Sequence, residues 1–289
     1  VKRFLFALLL LSGCSRQPRI TVGSKNFTEQ LILGEIISQQ IERTMHTDVR
    51  RKLDLGGTFL AQRAMLSGSI DLYPEYTGTA LTAVLKQPIV KDPGVALERV
   101  RAGYRQWNIR WMNPLGFENT FAMAIRREEA HARGIHTLTE AGAYQPGWRM
   151  GVGYEFEQRP DGLPGLVKTY GLHVDGAVKT MDLGLLYRAL GQKDVDMVAG
   201  NSTDGALSVL PVEVLTDDKR YFPPYEVAII VREQSLAEFP GLEKALGSLS
   251  GKITTDMMRK WNFEVDGQHH PVREVAGEAL LEIDRTGNR

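Results

Sequence analysis

Three polar loops run straight into stretches that read as helix starts: Ser24-Lys25-Asn26, Leu55-Gly56-Gly57-Thr58 and Asn201-Ser202-Thr203-Asp204-Gly205. Helix N-termini present free amides and the positive end of a dipole, which suits a carboxylate or phosphate; taken singly, each loop is better explained by ordinary capping. Aromatic residues flank polar turns at Tyr73-Pro74-Glu75-Tyr76-Thr77-Gly78-Thr79, at Asn119-Thr120-Phe121 and at Tyr221-Phe222-Pro223-Pro224-Tyr225. Scattered aromatics usually pack a core, but Tyr76 and Tyr225 adjoin Gly or Pro turns, where a ring can face a cleft. Electron-rich rings around a site are what a quaternary ammonium needs, because it has no N–H to donate. The chemistry on offer is binding.

Catalytic patterns fail one by one. Gly200-Asn201-Ser202-Thr203-Asp204 has Asp where a nucleophile elbow needs its last Gly. Gly151-Val152-Gly153 is followed by Phe156 where a dinucleotide fingerprint has a third Gly. Asp71 and Glu75 could pair as acid and base, although either reads better as a cap or a surface charge. The His residues are dispersed, and the adjacent His269-His270 before Pro271 reads as a solvated turn better than as a metal site. No enzyme, metal or cofactor is expected.

Composition agrees. With 35 basic and 35 acidic side chains the chain has no surplus of positive charge, which disfavours nucleic acid. The single cysteine, Cys14, excludes an intrachain disulfide and a thiolate metal cluster. It follows Lys2-Arg3, an apolar run over 4–11 that is too short to span a bilayer, and Leu11-Ser12-Gly13. That is the layout of a secretory signal (1–13) ending in a lipobox, with Cys14 receiving the lipid and 14–19 acting as a tether. The expected product is exported and anchored to a membrane by its lipid, on the periplasmic face or cell surface.

These residues need a frame. β-rich runs at 20–23, 49–55 and 70–73 alternate with amphipathic stretches at 26–41 and 58–66. Asn26 can cap the first helix, with Glu29 reaching back to the cap amide, and Thr58 can cap the second. Further strands are expected at 121–125, 149–153, 195–199, 212–215 and 226–232, with helices at 164–170, 183–190, 236–249, 253–263 and 272–283. Alternating strands and helices predict α/β sheets whose ligands sit at strand ends beside helix starts. Two units of about 100 residues each fit the length.

Seven segments in order resemble the substrate-binding proteins of ABC importers for glycine betaine, choline, carnitine and related osmoprotectants. They are SKNFTEQ at 24–30, LGGT at 55–58, GSIDLYPEYTGTAL at 68–81, GFENTFAMA at 116–124, EFEQRPDGLPGL at 155–166, STDG at 202–205 and DDKRYFPPYE at 217–226. The resemblance runs from about Ile20 to Ala279. It implies an α/β two-lobe periplasmic-binding-protein fold of type II-like form, with the ligand cleft between the lobes and two crossover segments. One lobe would comprise 20–117 and 217–289, and an inserted lobe 118–216. The implied aromatic cage falls on Tyr76, Phe121, Asn201 and Tyr225, and the carboxylate end on Gln30 and Thr79, with Asn119 as a further polar contact. Phe121 stands where Tyr is usual, and Asn201 where another ring is expected, so a wall is missing or a different solute is bound. The implied partners are a quaternary ammonium ligand and an ABC permease with its ATPase, served by a monomer. A ligand-sensing clamp on the same scaffold is the alternative.

Overall fold

A computed structural model describes residues 19–286; the expected signal segment 1–13 and the expected lipid site Cys14 lie outside the described residues. Ten strands are described: β1 (Thr21–Gly23), β2 (Arg50–Lys52), β3 (Leu72–Tyr76), β4 (Ile109–Glu118), β5 (Phe121–Arg126), β6 (Met150–Val152), β7 (Lys179–Thr180), β8 (Met197–Asn201), β9 (Val212–Val214) and β10 (Glu226–Arg232). They form two five-stranded sheets, ordered β2-β1-β3-β10-β4 and β7-β6-β8-β5-β9. The sheets share one plan. In the first, β2, β1 and β3 run parallel and β10 lies antiparallel between β3 and β4. In the second, β7, β6 and β8 run parallel and β5 lies antiparallel between β8 and β9. The two antiparallel strands are the ones the chain enters on crossing: β4 leads into β5, and β9 leads back into β10. The result is two lobes, each an α/β sheet with helices on its faces.

Burial explains the strand choices. In β10 the run Val227–Ile230 is fully inaccessible, as a central strand covered on both faces requires. Helix α1 (Thr28–Met45) buries Ile32, Leu33, Ile36, Ile37 and Ile41 along one stripe. That stripe packs against the helices Leu242–Gly247, Thr255–Asp266 and Val272–Thr286. Each buried aliphatic contributes about 1.5–3 kcal/mol. The opposite face of the same sheet is closed by Tyr73, Tyr104, Trp111 and Ile230 with Ala61 and Met65 of α2 (Thr58–Leu66). The second lobe repeats the arrangement, with Trp148, Met150, Val152 and Leu166 on one face and Leu186, Leu190 and Val198 on the other.

Several local expectations change. β2 covers only 50–52, because Asp54 adopts a left-handed conformation and ends the extended run. Helix α1 starts at Thr28 with Phe27 at its N-cap position and no side-chain cap, so the Asn26–Glu29 capping box does not form. Gly57, not Thr58, precedes α2. β4 and the helix Pro93–Tyr104 lie in a region where no element was read. β4 carries Pro114 and Gly116, and its pairing with β10 shifts register on both sides of Ala228, so its alternation is broken.

Candidate functional site

The strand ends bring the site together. Tyr76 is the last residue of β3 and Asn201 the last of β8, whereas Phe121 opens β5 and Tyr225 immediately precedes β10. Because β5 and β10 run antiparallel to their neighbours, all four residues lie at one edge of their sheets. Phe121 and Asn201 are direct partners across β5 and β8. These edges face each other across a cleft of about 970 Å³. Six expected residues line it: Tyr76, Thr79, Asn119, Phe121, Asn201 and Tyr225.

Its aromatic side is richer than the sequence reading allowed. The Phe156 ring lies 4.6 Å from Phe121, and Tyr225 meets Phe121 edge-on at 5.6 Å and 83°. Phe27 stacks near Tyr76 at 6.2 Å and 25°. Phe27 and Phe156 both line the cleft and neither had been singled out. Tyr225 is set by a close approach: a Cβ on Gly78 would fall 2.7 Å from its ring and 2.7 Å from the Pro224 carbonyl oxygen. Only glycine lets the turn after β3 pass there.

The polar side differs more. Gln30 does not line the cleft and is 0% exposed. Its Nε2 donates to the Pro74 carbonyl (2.9 Å) and the Tyr76 hydroxyl (3.0 Å), while its Oε1 accepts from the Lys25 amide (3.1 Å). With its amide so committed, Gln30 is a support for Tyr76 rather than a carboxylate ligand. Thr79 faces the cleft but accepts from the Arg159 guanidinium (3.2 Å). Asn119 donates its Nδ2 to Glu29 (3.0 Å).

Arg159 and Glu29 are the two groups that sequence reasoning missed, although both sit inside quoted motifs. Arg159 forms a two-pronged pair with Asp161, at 2.9 Å through Nε and 2.5 Å through Nη2. Asp161 also accepts from the Tyr225 hydroxyl (2.6 Å). Burial opposes the Asp161 charge, but the guanidinium outweighs it and holds the carboxyl below its ordinary range. The Arg159 guanidinium lies 5.4 Å from the Phe121 ring centre and 6.0 Å from that of Tyr225.

Glu29 sits at the start of α1 with 2% of its surface exposed. Instead of capping, its carboxylate accepts from the Tyr76 hydroxyl (2.6 Å), Asn119 Nδ2 (3.0 Å) and the Thr203 hydroxyl (2.6 Å). Burial pushes it up to about 7, against the lowering effect of those three hydrogen bonds. Asp204 follows Thr203, accepts from the Tyr187 hydroxyl (2.8 Å) and the Asn201 amide (2.7 Å), and is pushed by burial up to about 6. A signal was available for Glu29: a carboxylate one residue before Gln30, in the helix turn that follows a loop already read as a binding loop.

Contacts cross from lobe to lobe over the cleft. Glu29 holds Thr203, Thr58 donates its amide (2.5 Å) and hydroxyl (2.9 Å) to Glu155, and Asn262 donates to the Thr203 carbonyl (2.8 Å). The remaining candidates resolve simply. Glu75 pairs with Lys25 (2.5 Å) and Asp71 accepts from Ser235 (2.6 Å), so they form no acid–base couple. His269 and His270 are exposed, and no cluster suited to a metal ion occurs among the described residues.

The family model for the substrate-binding domain of ABC-type glycine betaine transport systems matches residues 18–282. The carnitine transport binding protein of Listeria monocytogenes is 31% identical over 286 residues, covering 96% of this chain and 92% of that protein. An ergothioneine transport permease/ergothioneine binding protein of Helicobacter pylori is 33% identical over 286 residues, covering 96% of this chain; this chain spans only 51% of that longer protein. A crystal structure of a glycine betaine/carnitine/choline ABC transporter protein superposes with a TM-score of 0.76 at 29% identity, covering 92% of this chain and 99% of that one. The chain belongs to this family of substrate-binding domains, which are not enzymes, and it has the two-lobe periplasmic-binding-protein fold. Among the described residues no helix is long and apolar enough to cross a membrane.

Proposed function

From that membership we propose that the protein captures glycine betaine, choline, carnitine or a related quaternary ammonium osmoprotectant outside the cytoplasm and delivers it to an ABC permease and its ATPase. The observation that carries the reading is the ring of Tyr76, Phe121, Phe156 and Tyr225 at one cleft whose nearby charges are mainly carboxylates. π faces and negative charge attract a permanent cation without needing it to donate a hydrogen bond. The polar end of a betaine is assigned to Thr79 beside Arg159. The two binding lobes are 20–117 with 217–289, and 118–216, acting as a monomer held to the membrane through a lipid on Cys14.

Calorimetry with glycine betaine, choline and carnitine, on protein stripped of bound solute, tests the reading. Micromolar binding of at least one is expected; no binding at millimolar ligand would count against it. A second reading has its own support. Asn201 leaves the cage without one ring, and the cleft is also lined by Phe59, Leu183, Val209 and Phe263. That apolar lining suits a betaine carrying a larger ring substituent, as in the ergothioneine named for the Helicobacter relative. Including ergothioneine in the same titrations separates the two.

A further inference from the structure

Apart from Glu29, the buried charged side chains among the described residues are matched. Lys25 pairs with Glu75 and Arg159 with Asp161, both at 2.5 Å; Arg51 pairs with Glu35 at 2.7 Å and Arg126 with Asp196 at 2.6 Å. Glu29 breaks the pattern. It is held only by neutral donors, and it forms no ion pair with Lys, Arg or His among the described residues. Removing a carboxylate from water without a counter-ion is unfavourable, and neutral hydrogen bonds compensate only part of that cost.

Two further groups at the same cleft are also incompletely compensated. Asp204, on the opposite lobe, is held by the Tyr187 hydroxyl and the Asn201 amide and has no ion pair among the described residues. Asn262, on the helix Thr255–Asp266, lines the cleft and is 3% exposed, and its buried Oδ1 has no hydrogen-bond partner. A carboxylate from each lobe at a cleft lined by aromatic rings calls for positive charge, and the bare amide oxygen of Asn262 adds its negative end. Of the two cations lining the cleft, Lys25 is already committed to Glu75 and Arg159 to Asp161.

We propose that Glu29 is the counter-charge for the ligand's ammonium group, and that a cation entering the cleft drives the Glu29 proton off to solvent. The inference rests on the quaternary ammonium reading above. It adds that binding is linked to one proton, so that this cleft selects for positive charge through Glu29 and not by rings alone. Among the groups facing Glu29 only Asp204, pushed by burial up to about 6, titrates in the same range. Tyr76 from β3 is held neutral by burial, Asn119 and Thr203 do not titrate, and Asp204 raises Glu29 further through its own charge. With Glu29 near 7 in the free protein, the ionised form that a cation prefers is scarce in mild acid. Affinity therefore rises with pH until Glu29 is ionised before the ligand arrives.

The test is calorimetry of choline and glycine betaine binding to the intact chain between pH 5.5 and 8, in two buffers of different ionisation enthalpy. Expected is release of close to one proton per ligand near pH 6, with affinity about tenfold weaker at pH 5.5 than at pH 7.5. Glu29→Gln, which still offers an acceptor to Tyr76 and Asn119, should abolish most of that release and flatten the pH profile. Affinities independent of pH, with heats independent of buffer, would overturn the proposal and leave the quaternary ammonium reading intact. Proton release that persists undiminished in a folded Glu29→Gln protein would also overturn it, by assigning the proton to another group. Failure of both ligands to bind at every pH overturns the proposal together with the reading beneath it. Should Glu29→Gln not fold, the buffer-dependent heats of the unmodified protein decide alone.

Discussion

Arg159–Asp161 and Glu29 lie at one cleft and are about equally buried, yet they are compensated in opposite ways. The Arg159 guanidinium is gripped by Asp161 and lies near the rings of Phe121 and Tyr225. Asp161 in turn fixes the Tyr225 hydroxyl, so this pair positions two walls of the cage and is complete without a ligand. Glu29 fixes the Tyr76 hydroxyl and reaches Thr203 in the other lobe, but its charge is left unanswered. The difference separates scaffolding from recognition: a charge already neutralised can hold a shape, while one that is not can respond to what enters.

Breaking the completed pair should have the largest effect. Arg159→Ala strands the buried Asp161 carboxylate, and removing one partner of such a pair costs about 3–5 kcal/mol. Urea unfolding of the ligand-free protein should show that loss. Replacing both partners by Met and Leu should cost much less, since no charge is then left unpaired. A mild Arg159→Ala alone would mean that water reaches Asp161 and that the pair is not a structural unit.

Glu29 should behave in the reverse sense. Its folded value of about 7 exceeds the usual 4.5, so between those pH values the folded state holds a proton that the unfolded chain has released. Stability of the free protein is therefore complete below about pH 4.5 and lost as pH rises towards 7, by up to about 3 kcal/mol. Glu29→Gln should remove this slope and make the ligand-free protein more stable at pH 8 than its parent, while weakening its grip on choline. Denaturation curves at pH 5 and pH 8 check it; a destabilised variant at pH 8 would show that the carboxylate's hydrogen bonds outweigh its desolvation.

The rings come next. Tyr76→Ala and Tyr225→Ala should each weaken a quaternary ammonium ligand by about 1–2 kcal/mol. Gln30→Ala should act through Tyr76, because its amide supports that hydroxyl (3.0 Å) from behind. Choline and glycine betaine should then suffer equally. Thr79→Ala should instead favour choline over glycine betaine, since choline has no carboxylate. An equal loss for both ligands from Thr79→Ala would remove Thr79 from the polar end.

Much of this was legible in the chain, for identifiable reasons. Buried parallel strands such as β10 read plainly because both faces are apolar, and the α1 stripe read plainly because its period is helical. Tyr76 and Tyr225 adjoin Gly or Pro turns, which mark strand ends, whereas Phe121 and Asn201 were pointed to by the family resemblance. β4 was illegible because Pro114 and Gly116 interrupt its alternation. Gln30 was misplaced because an amide that binds a ligand and one that braces a neighbour have the same sequence. Glu29 was read as a cap for a related reason: its spacing from Asn26 fits a capping box, and only the lobe-to-lobe packing turns it towards Thr203. Pairing across a cleft is a long-range fact with no local period.

The smallest effect is expected where the cage departs from the family pattern. Phe121 is already enclosed by Phe156 at 4.6 Å, Phe222 at 5.5 Å and Tyr225 at 5.6 Å. Phe121→Tyr adds a hydroxyl to a π face that exists, and should change glycine betaine affinity by no more than a few tenths of a kcal/mol. Asn201, the strand partner of Phe121, is only half-buried and lines the cleft. Asn201→Tyr adds a whole ring there, and should tighten glycine betaine by about 0.5–1 kcal/mol, towards the lower end for a cation–π contact. The gain is limited because Phe156 already supplies a ring that the sequence pattern did not count. Phe156→Ala should therefore weaken the parent protein and enlarge the benefit of Asn201→Tyr, a coupling that a double-mutant cycle measures directly. If Asn201 instead hydrogen-bonds the natural solute, Asn201→Tyr should abolish binding of that solute with the fold intact, by leaving its polar group unpaired. Titrating glycine betaine and ergothioneine on the same variant decides between a cage short of one wall and a site built for a longer ligand.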